Sequence, residues 1–232
     1  MTNDKTFIGC EPCGDEVIIN GTRFRMDGMI YQGTDSRIFS AHSLESGVDS
    51  AVVIKRFCCR ENDALWNACL REVEAGLMLR RCGNILPLLG YAVRTDGETE
   101  REIFLLFNRA ECLSGMSLSP PETIRMCRDI SRALTCMKPK NLVHGDVKPS
   151  NLYRCGSRWL LGDMGSVIRS GEAARYVSEG YCAPEALRGE PCDDRSDLYS
   201  LGITCYRLLS GGRLPFCDRP CEKMTEEEVD AA

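Results

Sequence analysis

His144-Gly-Asp-Val-Lys-Pro-Ser-Asn151 carries a carboxylate, then an ammonium two residues on and a carboxamide five residues on. Further along, Leu160-Leu-Gly-Asp-Met-Gly165 delivers a second carboxylate, Asp163, at the end of a short apolar run. Either acid alone reads as a helix cap or a solvated loop residue. Together they form a compact set of hard oxygen donors with a cation beside them, a combination suited to handling charged oxygens. Downstream stand Ala183-Pro-Glu185 and Asp197-Leu-Tyr-Ser-Leu-Gly202. Residues 194–210 read as a helix closed by Gly211-Gly212, and Thr225-Glu-Glu-Glu228 as a capping box opening a short last helix.

Upstream the pattern changes from helical to extended. Pro120-Pro121 opens a helix in which Ile124, Cys127, Ile130, Ala133, Leu134 and Met137 keep a 3.6-residue period up to Pro139. Residues 108–120 read as a polar link. Before it, Arg101–Phe107 and Ile85–Val93 read as strands. Residues 62–81 read as a helix with Leu65, Cys69, Glu72, Gly76 and Leu79 on one stripe, flanked by Trp66, Leu70, Val73 and Leu77. Glu72 on that stripe needs a cation, and Lys55 interrupts the β-branched strand Ala51–Phe57, expected to be buried on both faces. Asn20-Gly21 marks one hairpin, and Gly33–Ser36 turns a second between Met29 and Ala41.

Composition bounds the alternatives. The chain has 232 residues, of which 43% are hydrophobic and 27% charged, values typical of a globular protein. Ile103–Phe107 is the longest apolar run, against the about 20 residues a membrane span needs, and the first residues carry no secretory pattern. No membrane role and a cytoplasmic location are expected. With a net charge of -5 and no strongly basic block, nothing suggests a phosphate-backbone binder, so no nucleic-acid partner is expected. The 15 cysteines read as free thiols, with Cys10-x-x-Cys13 the one zinc-like spacing.

In order and spacing these motifs resemble the eukaryotic-type protein kinase family, its Ser/Thr branch, over residues 29 to about 215. The resemblance implies an α+β, two-lobed fold, with an antiparallel β lobe over residues 1–109, a mainly helical lobe over 110–232, and ATP in the cleft between them. It implies Asp146 and Lys148 as catalytic residues and Asn151 and Asp163 as ligands of Mg²⁺. Lys55, held by Glu72, would bind the phosphates. Gly33, Ile38, Val53, Phe107, Asn108 and Ala110 would line the nucleotide. The partner implied is a protein substrate; oligomeric state is not legible.

The departures from the family pattern are specific. Tyr31-Gln-Gly-Thr-Asp-Ser-Arg-Ile38 keeps only Gly33 of the glycine-rich loop, Met164 replaces a phenylalanine, and Gly145 replaces an arginine. The last change predicts activity independent of activation-loop phosphorylation, since no cation adjoins the catalytic aspartate to bind a loop phosphate. Glu185 is usually paired with an arginine further along than this sequence runs; another residue must satisfy it, or the sequence is a fragment or minimal form. His-Gly-Asp also keeps a small-molecule kinase of aminoglycoside or choline kinase type open, and the poor glycine loop keeps a pseudokinase open.

Overall fold

The computed structural model describes residues 15–45, 51–59, 62–96, 100–213 and 215. Cys10, Cys13 and the Thr225 capping box lie outside them. The described residues form two units, one made of those up to Arg80 with Pro87–Arg109, the other of Arg81–Leu86 with those from Ala110 onward.

The first unit is built on a six-stranded antiparallel sheet. Its strands are β1 (Glu16–Ile19), β2 (Thr22–Gln32), β3 (Ser36–Ser43), β4 (Val52–Cys58), β5 (Gly90–Asp96) and β6 (Glu100–Asn108), in the order β1-β2-β3-β4-β6-β5. Asn20 and Gly21 both have positive φ, as a tight two-residue hairpin turn requires, and β2 then runs unbroken through both expected hairpins. Strand β5 begins only at Gly90, because Ile85 and Leu86 belong to the second unit and bond there to Leu161.

Alternation along β4 and β6 creates two cores. Val52, Ile54, Phe104 and Leu106 face Val17, Ile19, Phe24, Met26 and Phe39. Phe57, Ile103 and Leu105 face Cys69 and Val73 of α1 (Asp63–Leu79). Strand β4 is therefore not buried throughout, since Val53 and Lys55 are only partly covered. Asn62 caps α1 by accepting the Leu65 N–H at 3.0 Å. Cys69, Glu72, Gly76 and Leu79 are buried as the stripe predicts, but the flanking Leu70 and Leu77 point to water and Ala75 takes the inner position.

The two sheet edges meet. Asn20 Nδ2 donates to Leu89 O at 3.0 Å and Arg94 donates to Glu16 O at 2.6 Å, joining β5 to the β1 hairpin. A Cβ on Gly90 would lie 2.5 Å from Asn20 Nδ2 and 2.7 Å from Ile19 Cγ2. We expect Gly90→Ala to destabilise this unit by about 1–3 kcal/mol through overpacking, measured by chemical denaturation; an unchanged midpoint would show that the edges part without cost.

In the second unit, α2 (Pro120–Met137) packs on β10 (Arg158–Leu161) and α4 (Asp194–Leu209). Ser119 and Glu122 close a capping box at its start. Thr123, Met126, Ile130, Ala133, Leu134 and Met137 are buried, whereas Ile124, expected in the core, is 68% exposed. The stretch read as a polar link contains β7 (Glu111–Cys112), which joins β9 (Leu152–Cys155) and β10 in a three-stranded sheet. β8 (Leu142–Val143) pairs with β11 (Ile168–Arg169), and the short helix α3 (Pro184–Leu187) precedes α4.

One expectation about cysteine fails. Cys82 and Cys136 form a disulfide across 54 residues, joining segment 81–86 to the end of α2, where spacing alone suggested free thiols throughout. Nine other described cysteines are free. No helix among the described residues is long and apolar enough to cross a membrane.

Candidate functional site

In the first unit, register does the positioning. Ile38 pairs with Lys55 across β3 and β4, and Val53 pairs with Phe107 across β4 and β6. Directly opposed residues share a face, and Val53 and Lys55 are two apart, so Ile38, Val53, Lys55 and Phe107 all lie on one side of the sheet. This is the α1 side. Lys55 Nζ reaches Glu72 Oε1 at 2.8 Å, with side chains only 13% and 6% exposed. The inward carboxylate on the helical stripe is therefore paired, as its burial demands. At the β2–β3 turn the Gly33 N–H donates to Ser36 O at 2.8 Å. Asn108 ends β6 and is exposed.

In the second unit, the loop after β8 is pinned by buried apolar residues at Val147 and Leu152, with polar groups between them free to converge. Asp146 Oδ1 accepts from Ser178 Oγ at 2.6 Å, and Oδ2 lies 2.9 Å from Asn151 Nδ2 and 2.8 Å from Lys148 Nζ. Lys148 Nζ also donates to Ser178 Oγ at 2.6 Å. Asn151 Nδ2 additionally donates to Asp146 O at 2.8 Å, which leaves the amide oxygen as the hard donor to offer a cation. Ala110 lies at the start of this unit, next to β7.

Two residues that sequence reasoning left without a role, His144 and Asp197, hold this loop. The His144 ring is fully buried; Nε2 donates to Gly162 O at 3.1 Å and Nδ1 accepts the Asp146 N–H at 3.3 Å, a neutral tautomer satisfied at both ends. Asp197 of α4 accepts the His144 N–H at 2.7 Å and the Gly145 N–H at 2.9 Å on separate oxygens. Burial pushes its carboxyl up, opposed by those two backbone donors. Ser196 Oγ donates to Glu185 Oε1 at 2.6 Å, so within this sequence a serine satisfies the acid of the Ala-Pro-Glu motif. His144 and Asp197 are 53 residues apart, a pairing that no local pattern signals.

Asp163 follows β10 at φ +62°, a left-handed turn that re-aims the chain at the carboxylate, and Met164 beside it is buried as the apolar plug expected. Gly145 has φ +77°, and a Cβ there would lie 2.9 Å from Ser166 O. The absent arginine therefore coincides with a backbone shape that disfavours any side chain. Gly145→Arg should lower the thermal midpoint, at a cost of about 1–3 kcal/mol, and slow catalysis without creating phosphate dependence. Rates of phosphatase-treated and untreated variant that differ more than tenfold would refute this.

The model of the protein kinase domain matches residues 24–231. The chain belongs to the protein kinase family. Among similar proteins, the serine/threonine-protein kinase mos of Patiria pectinifera is 28% identical over 87% of this chain and 60% of its own. The Aurora kinase of Encephalitozoon cuniculi is 29% identical over 84% of this chain and 73% of its own. A probable serine/threonine-protein kinase of Streptomyces coelicolor is 26% identical over 82% of this chain but only 30% of its own length. The kinase thus spans less than two thirds of the first and third of these.

Proposed function

We propose that the kinase transfers the γ-phosphoryl group of ATP to serine or threonine hydroxyls of a protein substrate, with Asp146 as the base and Mg²⁺ as the metal. The observation that carries this reading is the Asp146–Lys148–Ser178–Asn151 cluster, a carboxylate held by donors on both oxygens in a loop pinned by His144 and Asp197. Asp146 orients the acceptor hydroxyl and takes its proton as the new P–O bond forms. The bond from the γ-phosphorus to its bridging oxygen breaks, and ADP leaves. Lys148 neutralises charge on the moving group. Asn151 and Asp163 would hold Mg²⁺, which when bound offsets phosphate charge.

Lys55, oriented by Glu72, would pair the α- and β-phosphates beside the Gly33 turn. The apolar side chains of Ile38, Val53 and Phe107 suit the base, with backbone at Asn108 and Ala110 supplying hydrogen bonds. The Lys148–Ser178 hydrogen bond favours a Ser/Thr acceptor, the reading made from Ser178 standing three residues before Tyr181. A cytoplasmic location rests on nine free thiols among the described cysteines, set against the one disulfide, Cys82–Cys136. The test is incubation with labelled ATP, Mg²⁺ and serine, threonine and tyrosine peptides, followed by phosphoamino-acid analysis. Phosphoserine or phosphothreonine is expected; phosphotyrosine as the main product, or binding of ATP without transfer, would overturn the proposal.

A further inference from the structure

The outward face of α2 is polar for a reason its core contacts do not supply. Asp129 on that helix is buried, with Oδ2 accepting the Trp159 N–H at 3.2 Å. Its Oδ1 is shared by two guanidiniums, Arg128 at 3.5 Å and Arg132 at 3.6 Å, whose side chains are 57% and 63% exposed. The Trp159 bond brings the preceding residue, Arg158, to the same place, and Arg125 stands one helical turn before Asp129. Among the described residues neither Arg125 nor Arg158 forms an ion pair, and both are exposed. The other acid nearby, Glu122, is engaged by the Ser119 N–H at 3.0 Å and hydroxyl at 2.6 Å. Arg154, which also acts on Glu122, is taken up by Glu111, so the remaining four arginines stand against two carboxylates that are already bonded, an excess of two positive charges on a chain of net charge -5. Beside them Ile124 exposes 68% of its surface.

We infer that this face docks an acidic segment of the kinase's protein substrate, a reading that rests on the proposed phosphoryl transfer to protein. Guanidinium forks match carboxylates in bidentate geometry, and an isoleucine among them provides an apolar contact for a flanking side chain. A nucleic acid fits less well. The face described has no aromatic platform for bases, and a long polyanion meets the repulsion of an acidic chain, whereas a short acidic run meets only the local excess.

The experiment uses the full chain and two serine peptides, identical except that one carries a distal run of four glutamates. The acidic peptide is expected to show a roughly tenfold lower KM at low salt, with kcat unchanged, and to lose that advantage as salt is raised. Arg125→Gln/Arg158→Gln, which breaks no described ion pair, should remove most of the advantage, and adding Arg128→Gln the rest, with near-ultraviolet circular dichroism confirming the fold. Anisotropy of a labelled glutamate peptide lacking serine reads docking apart from chemistry. If it binds wild type tightly and the variants weakly while neither peptide is phosphorylated, the docking face stands and the phosphoryl-transfer reading falls. Equal KM values with no arginine-dependent binding would overturn the inference, as would tighter arginine-dependent binding of single-stranded RNA.

Discussion

Asp146→Asn lowers the rate of phosphoryl transfer by about 10²–10⁴-fold, the range for removing a positioned general base, and leaves the kinase folded. The fold survives because the amide can be accommodated where the carboxylate was. Its NH₂ group can replace Oδ1 and donate to Ser178 Oγ, while its carbonyl replaces Oδ2 and accepts from Asn151 and Lys148. What it cannot do is take a proton from the acceptor hydroxyl. Initial rates at saturating ATP and Mg²⁺, set beside thermal unfolding, separate the two effects. A variant with more than a tenth of the wild-type rate would show that Asp146 orients without accepting the proton.

Asp197→Ala should affect both stability and rate. The two carboxylate oxygens of this buried residue accept separate backbone donors, His144 N–H at 2.7 Å, which is buried, and Gly145 N–H at 2.9 Å, which is half-buried. Leaving a buried donor unsatisfied costs about 1–3 kcal/mol, so losing both should lower the thermal midpoint by about 5–15 °C for a chain of this size. Asp197→Asn should be intermediate, since its one carbonyl serves one donor and its NH₂ group opposes the other. Both should slow transfer, because the freed backbone carries Asp146 and the imidazole that fixes it. Calorimetry and the exchange rates of the His144 and Gly145 amides test this; a midpoint within 2 °C of wild type with protected amides would mean another acceptor has replaced the carboxylate.

The inward Glu72 shows how far a helical stripe reaches. Periodicity places its carboxylate among apolar side chains, and physics then requires a cation, for which Lys55 was the candidate in the preceding strand; the two meet at 2.8 Å. The same logic misplaces Ile124, because a period fixes relative angles around a helix and not its absolute rotation. On α2 the buried side is set by contact with β10 and α4, and centres on Met126, Ile130 and Ala133. The strand read from Ile85 shows a related limit. Apolar residues announce burial, but Ile85 and Leu86 are recruited to Leu161 rather than to the β5 ladder, a choice between partners that local composition does not encode.

The order and spacing of residues 144–151 and 160–165, with Lys55, Glu72, Ala183-Pro-Glu185 and Asp197 around them, carried the resemblance that assigns the family and its fold class. Those properties are local, since a turn, a register or a short loop is specified by a few neighbouring residues. Only the tertiary structure revealed that His144 serves Asp146 and Gly162 together, that Asp197 closes the same loop from a distant helix, that Ser196 satisfies Glu185, and that Cys82 finds Cys136 among so many thiols. Each of these is a choice of partner across a long stretch of chain. It is made by which buried polar groups are left unpaired once the apolar faces have packed, and that is determined only when the whole unit is assembled.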